Sequence, residues 1–427
     1  MSKDVIVVQG THTLSGEVRV YGAKNSALKL MAAAILGQGE TRIDNVPLIS
    51  DIGIMSQVLE ELGAKVTRDD HALIIDTSAV SKWETPYNLV TKMRASISVL
   101  GPLIGRFGKA IVAMPGGCQI GARKIDMHLV GLAELGVEFR VSHGNLIATT
   151  PNGLHGANVL LTFPSVGATE NMLMAAVVAE GETIIDNAAR EPEIVDLCNM
   201  LNEMGAHVEG GGTPTITVQG TSLDNLHPCV HSTVGDRIEA GTFLAGGALT
   251  GGPLTVRGID PSFLRMAIIK LEAMGCTIET GEDYITVARE GELHAVDIQT
   301  LPHPGFPTDL QAQFMLLAVC ADGNSVITEN VFENRFMFAA ELARMGADIS
   351  IDGHHALVHG NVRLQGADVS STDLRAGAAL VLAGIVAEGE TRVHEVSHID
   401  RGYEDYVGKL ASLGASITRH VDDDSWQ

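Results

Sequence analysis

A pattern of about 70 residues recurs six times along this 427-residue chain, and self-similarity at a fixed period constrains a fold more tightly than any local propensity. Each copy holds an Ala-rich apolar helix, a glycine turn, a short β-branched strand, a polar loop, an amphipathic helix ending in glycine, and a further strand. The first copy runs over 25–66 and the third over 167–208; the others begin near Arg94, Arg237, Thr308 and Thr372. Register comes from the closing glycines, Gly63, Gly136, Gly205, Gly275, Gly346 and Gly414, spaced 68 to 73 residues apart. Each follows an amphipathic segment, such as the one carrying Ile54, Val58, Leu59 and Leu62, and supplies the left-handed position that ends a helix.

The first helix of each copy is apolar almost all round, as in 27–36 and 376–387. Such a helix must be buried on every side, and its Gly and Ala content lets backbones approach closely. The strands alternate, as in 41–46 and 183–188, which suits sheets with one wetted face. This predicts an α/β, inside-out arrangement, with apolar helices within and sheets outside. Six units overfill a single core, so the expectation is a two-lobed α/β barrel protein with three repeats per domain. The irregular stretch 223–236 marks the boundary, and the opening strands at 5–10 and 16–22 are expected to complete the second half. One domain then comprises 1–22 with 235–427 and the other 23–234, with the site expected in the cleft between them.

Composition narrows the partners. With 29 Lys and Arg against 52 Asp and Glu, the formal charge is −23, which disfavours nucleic acid and anionic membranes as partners. Five cysteines form no CxxC pair, so a reducing compartment fits better than a disulfide framework. The start has no sustained apolar run, and the longest apolar stretch, Ala376–Ala387, falls short of the roughly 18 residues of a membrane helix. A cytoplasmic protein is expected. No GxxxxGK[ST], strand-linked GxGxxG or HExxH is present, so chemistry without a metal or a cofactor is the expectation.

Basic residues must then be concentrated locally if the substrate is an anion. The segment Met114–Leu129 sets Cys118 on a glycine-rich loop beside Arg123; exposed backbone N–H groups and a guanidinium favour an anion, and a thiol there is either a reactive group or a small filler. Cys198, Cys276 and Cys320 occupy repeat positions that read as core. Lys24 and Asn25 open an apolar helix, and Arg94, Arg237 and Arg375 stand at comparable starts, with Ser165 and Gly167 in a turn at the same place in the third repeat. Helix N-termini with adjacent cations hold phosphate or carboxylate; solvated caps are the plainer alternative. Asp309, behind two prolines, is either an N-cap or a general base. Arg335, Asp400 and Arg401 lie in polar loops, where surface salt bridges are the simple reading.

Seven segments together, 24–26 (KNS), 115–123 (PGGCQIGAR), 163–171 (FPSVGATEN), 303–314 (HPGFPTDLQAQF), 333–336 (ENRF), 372–376 (TDLRA) and 398–404 (HIDRGYE), resemble the UDP-N-acetylglucosamine 1-carboxyvinyltransferases of the EPSP synthase-like superfamily. The resemblance runs essentially end to end. It implies two inside-out α/β lobes of three repeats each, and transfer of the enolpyruvyl group of phosphoenolpyruvate to the 3′-hydroxyl of UDP-N-acetylglucosamine, the first committed step of peptidoglycan synthesis. Shikimate 3-phosphate transfer, or an inactive UDP-sugar-binding role, are the alternatives. By the same resemblance Cys118 is the acid that protonates the donor methylene and can form a covalent adduct, and Asp309 deprotonates the sugar hydroxyl. Lys24, Arg123 and Arg401 would hold phosphoenolpyruvate. Asn25, Arg94, Arg123, Lys124, Ile125, Asp126, Met127, Phe163, Pro164, Ser165, Val166, Asp309 and Val331 would line the nucleotide-sugar site, with Gly167, Arg335 and Arg375 as further substrate-binding groups. Phe163 stands where some members carry a lysine, which leaves Ser165 and backbone N–H groups as the donors there. Both substrates are small molecules, and no protein partner is called for.

Overall fold

All six repeat-closing glycines adopt the left-handed backbone, with φ between 94° and 108°. The structure, a computed structural model, describes residues 4–10, 12–86, 89, 94–114 and 125–421. Gly63 illustrates the device: it follows the helix Ser50–Leu62 at φ 108°, and its N–H returns to the carbonyl of Glu60. A β-carbon would be strained at that φ, so glycine ends the helix and releases the chain into the strand Lys65–Asp69.

The described residues fall into two units, one made of those up to Val20 together with those from Gly235 onward, the other of those between Tyr21 and Val234. Each is built on three buried helices. In the unit 21–234 these are Lys24–Ala33, Leu100–Phe107 and Val166–Ala176; in the other they are Arg237–Thr250, Gln311–Cys320 and Leu374–Val386. Three sheets belong to each unit. Their strands alternate in burial, as Glu182–Asp186 does, with Thr183 and Ile185 inward. Each unit has one apolar core joining the buried helices to the inward sheet faces. The expected arrangement, helices within and sheets outside, is therefore present in both. Small residues permit it: a β-carbon on Gly101 would collide with the carbonyl oxygen of Asn171, whose Oδ1 accepts the Gly101 N–H at 2.7 Å.

Sheet order repeats as well. In four of the six sheets a two-stranded antiparallel hairpin pairs with the strand after the buried helix and a short parallel strand joins the far edge, as in His207–Glu209, Thr215–Gln219, Glu182–Asp186 and Asn158–Leu160; among the described residues the sheet of Lys109–Ala113, Asn145–Thr149 and Glu138–Ser142 has three strands, with a single parallel bridge from Glu84 to Ile111. The first repeat receives its parallel edge from Val230–Ser232, which pairs with Glu40–Asp44. In the other unit Gly16–Arg19 pairs parallel to Leu254–Arg257, and Asp4–Gln9 lies between Glu390–His394 and Ser416–Val421. Strands distant in sequence thus complete these sheets. Among the described residues no helix is long and apolar enough to cross a membrane.

The central helices are not apolar throughout. Glu170 is fully buried and pairs with Lys29, and Glu239, 3% exposed, pairs with Lys409 at 2.7 Å. Burial pushes both carboxyls up to about 7, against the opposing pull of the lysines. A carboxyl raised above its unfolded pKa of 4.5 contributes stability below that value and loses it as pH rises towards about 7. Lys409→Met is therefore expected to cost about 3 kcal/mol at pH 8, where Glu239 would be left charged and unpaired, and distinctly less at pH 5. Urea unfolding at the two pH values checks this; equal losses would contradict it.

Candidate functional site

Helix starts supply the polar groups of the unit 21–234. Lys24 is the first residue of the helix Lys24–Ala33 and is only 7% exposed; its ammonium pairs with Asp51 at 2.7 Å. Asn25 follows, half-buried. Before them Gly22 is obligatory, because a β-carbon would strike the Asn45 carbonyl oxygen and the Thr233 side chain. Arg94 opens the 3₁₀ helix Arg94–Val99. Ile125 is the cap residue of Asp126–Glu134, where exposed Asp126 accepts the N–H of Met127 at 3.0 Å, and Met127 packs on the core.

At Val166–Ala176 the cap is Ser165, whose hydroxyl accepts from Ala168 N at 3.4 Å and whose own N–H bonds Phe163 O at 2.7 Å. Phe163 is 36% exposed, and Pro164, Val166 and Gly167 are half-buried. Gly167 borders His128: an added β-carbon would stand 3.1 Å from its Nε2. Asn171 fixes that imidazole from behind at 2.9 Å, assigned as an amide donor to Nδ1, while also donating to Ile97 O. First-turn N–H groups at such starts suit the oxygens of a diphosphate.

In the other unit a carboxylate is held between two guanidiniums. Asp309, 25% exposed at the side chain, meets Arg335 at 2.8 Å through Oδ1 and Arg375 at 3.7 Å through Oδ2, and both arginines are at most 5% exposed. Thr308 donates its hydroxyl to Glu329 at 2.9 Å, and Glu329, 1% exposed, also accepts from Val331 N and Phe332 N. One buried acid thereby sets the loop bearing Val331 against the turn bearing Asp309. Arg375, second residue of Leu374–Val386, lies 5.3 Å over the Tyr403 ring. Burial alone would lower its pKa, but Tyr403, Asp309 and Asp236 hold it above its ordinary value, so it stays charged. Gln313 and Thr242 complete this buried layer, with the Thr242 hydroxyl 2.9 Å from that of Tyr403. Arg401 ends the 3₁₀ helix Val396–Arg401, half-buried.

A family model for EPSP synthase (3-phosphoshikimate 1-carboxyvinyltransferase) matches residues 8–410. The chain belongs to the EPSP synthase family. A protein of Staphylococcus aureus strain N315 called UDP-N-acetylglucosamine 1-carboxyvinyltransferase 1 is 51% identical over 419 residues, which cover 97% of this chain and 99% of that protein. Among solved structures the enolpyruvyl transferase NikO of Streptomyces tendae is similar with a TM-score of 0.89 at 28% identity, over 98% of this chain and 99% of that one. An EPSP synthase of Acinetobacter baumannii has a TM-score of 0.74 at 17% identity, over 98% and 99% of the two chains, which is a likeness of fold.

Within this EPSP synthase family member, several sequence expectations change. Asp309 caps no helix: the cap positions there are Pro307 and Leu310, neither with a side-chain cap bond, and the carboxylate is drawn instead to the two arginines. Arg335 forms no surface salt bridge, since the pair it makes with Asp309 is buried on the arginine side. Asp400 does form one, with Arg419 at 2.8 Å. Cys198 and Cys276 are core residues, their thiols pushed up by burial to about 12 and about 11. Cys118, Arg123 and Lys124 lie outside the described residues. Asp51 and Glu329 lie in none of the seven segments, and Gln313 and Tyr403 lie in two of them without an expected role, because burial, not spacing, makes all four part of these clusters.

Proposed function

We propose that the protein transfers the enolpyruvyl group of phosphoenolpyruvate to the 3′-hydroxyl of UDP-N-acetylglucosamine, releasing phosphate. The observation that carries this reading is the 51% identity, over 97% of the chain, to the staphylococcal protein of that name. The residue types of the segment 115–123, Cys118 among them, and the clusters around Lys24 and Asp309 supply chemistry that suits it. This would be the first committed step of peptidoglycan synthesis, carried out in the cytoplasm and so tied to cell shape and division.

Addition requires a proton on the donor methylene and loss of the acceptor hydroxyl proton; elimination removes a proton from the resulting methyl group and breaks the bond to phosphate. Cys118 is assigned as the proton donor. Asp309 is assigned as the base, and its two arginines bear on how. Guanidiniums at 2.8 and 3.7 Å hold the carboxylate in place, and a carboxylate is a weak base. A weak base suffices once the sugar oxygen bonds to the cationic carbon, since that oxygen then becomes strongly acidic. Lys24, Arg123 and Arg401 are assigned to phosphoenolpyruvate, whose negative charge they would balance in a water-poor site. Asn25, Arg94, residues 124–127 and 163–167 and Val331 are assigned to the nucleotide sugar, and Arg335 and Arg375 are assigned to orienting Asp309 and binding substrate.

The family's other acceptor, shikimate 3-phosphate, is the second reading. Phosphate release from phosphoenolpyruvate should appear with UDP-N-acetylglucosamine and be at least about 10³-fold slower with shikimate 3-phosphate, as polar recognition of one acceptor leaves buried groups unpaired with another. Equal rates, or release only with the shikimate ester, would overturn the assignment.

A further inference from the structure

Ser26, Asp196, His231 and Glu203 form a polar chain outside the residues assigned to either substrate. Asp196, 2% exposed in the helix Pro192–Glu203, accepts on one oxygen from the Ser26 hydroxyl and from Val234 N at 3.2 Å. Its other oxygen lies 2.8 Å from His231 Nε2, and His231 Nδ1 lies 2.8 Å from Glu203. Each ring nitrogen therefore meets a carboxylate, which only accepts, so the geometry calls for two N–H donors on the ring. Burial on its own would lower the pKa of His231; the bonds to Asp196 and Glu203 outweigh it and raise the value. Arg42 and Asp44 register with Val230 and Ser232, the neighbours of His231, and so stand on the other face of that sheet.

The elements joined in this way carry the assigned site. Ser26 lies in the first turn of the helix that begins with Lys24 and Asn25, and the cap residue of that helix, Ala23, makes no side-chain cap bond. The turn is held from outside instead. Ala23 N–H donates to Val234 O at 2.7 Å, and Asn45 donates its amide to Thr233 O at 2.8 Å. Asp196 bonds both partners of that contact, the helix through Ser26 and the segment after strand Val230–Ser232 through Val234. A buried carboxylate with a cationic partner can keep its charge and so grip all three donors at once.

We propose that Asp196 and His231 are positioning residues, which fix the first helical turn so that Lys24 and Asn25 present their side chains to substrate. The inference rests on the assignment of Lys24 and Asn25 made above. Ser26→Ala, His231→Leu and His231→Gln in the full chain test it, by amide hydrogen exchange and by steady-state kinetics with phosphoenolpyruvate and UDP-N-acetylglucosamine. Loss of one charge-assisted hydrogen bond should speed exchange over residues 21–30 and raise KM for phosphoenolpyruvate, each about tenfold, with kcat within about threefold. His231→Gln, whose amide N–H still reaches towards Asp196, should bring both back towards wild type. Combining Ser26→Ala with His231→Leu should cost little more than either alone, because both act through Asp196. Unchanged exchange over 21–30, or faster exchange with KM unmoved, would overturn the positioning role. Ser26→Ala removes a single oxygen and keeps the comparison readable if His231→Leu does not fold. A wild-type protein that releases no phosphate would overturn the assigned function instead, and the exchange data alone would then judge the anchoring.

Discussion

Cys118→Ser is expected to slow phosphate release by about 10²- to 10⁴-fold, the range of a lost general acid, while UDP-N-acetylglucosamine affinity stays within about threefold of wild type. A hydroxyl is close to a thiol in size but is a far weaker acid, so it cannot hand a proton to the methylene at the needed rate, and it is a poorer nucleophile towards the donor. Rapid-quench measurement of phosphate, alongside titration calorimetry with the nucleotide sugar, separates the two effects. Loss of binding equal to the loss of turnover would mean that Cys118 serves binding and does not take part in the chemistry.

The second large effect belongs to Asp309→Asn. Turnover should again fall about 10²- to 10⁴-fold, and here stability should fall too, by about 3 kcal/mol. Arg335 and Arg375 are both at most 5% exposed and both face this carboxylate. An amide cannot neutralise them, so two buried cations would repel one another across its place. Arg335→Lys should keep much of the stability, since a positive charge remains, yet lose turnover because an ammonium cannot hold Oδ1 in the same geometry. Denaturant melts and initial rates on the same samples decide between base and structural counter-ion. Wild-type turnover in a folded Asp309→Asn protein would remove Asp309 from the mechanism.

Much of the fold was legible because it rests on local rules repeated six times. The glycines from Gly63 to Gly414 end helices through a backbone conformation that is read from one residue and its neighbours, and all six take it. The starts of the buried helices were legible for the same reason, which is why Lys24, Arg237 and Arg375 fall in their first turns. The ion pairs inside were not. Glu170 meets Lys29 across 141 residues and Glu239 meets Lys409 across 170, so no window of sequence shows that either acid is compensated. An apolar helix containing a glutamate reads as an exception until its lysine is found on another helix.

Asp309 marks the boundary between the two kinds of knowledge. Sequence by itself determined that it stands at a helix start, that the chain repeats, and that apolar helices had to lie beneath half-wetted sheets, because period and hydrophobicity are properties of neighbours along the chain. Only the tertiary structure decided that this carboxylate abandons the cap for Arg335 and Arg375, 26 and 66 residues away. It also decided that Asp196 ties Ser26 to Val234, and that Val230–Ser232 completes the sheet of the first repeat. The physical reason is common to all three. A buried charge or an open strand edge must find its partner wherever the fold places one, and that choice is made by packing in space, after the local pattern has been satisfied.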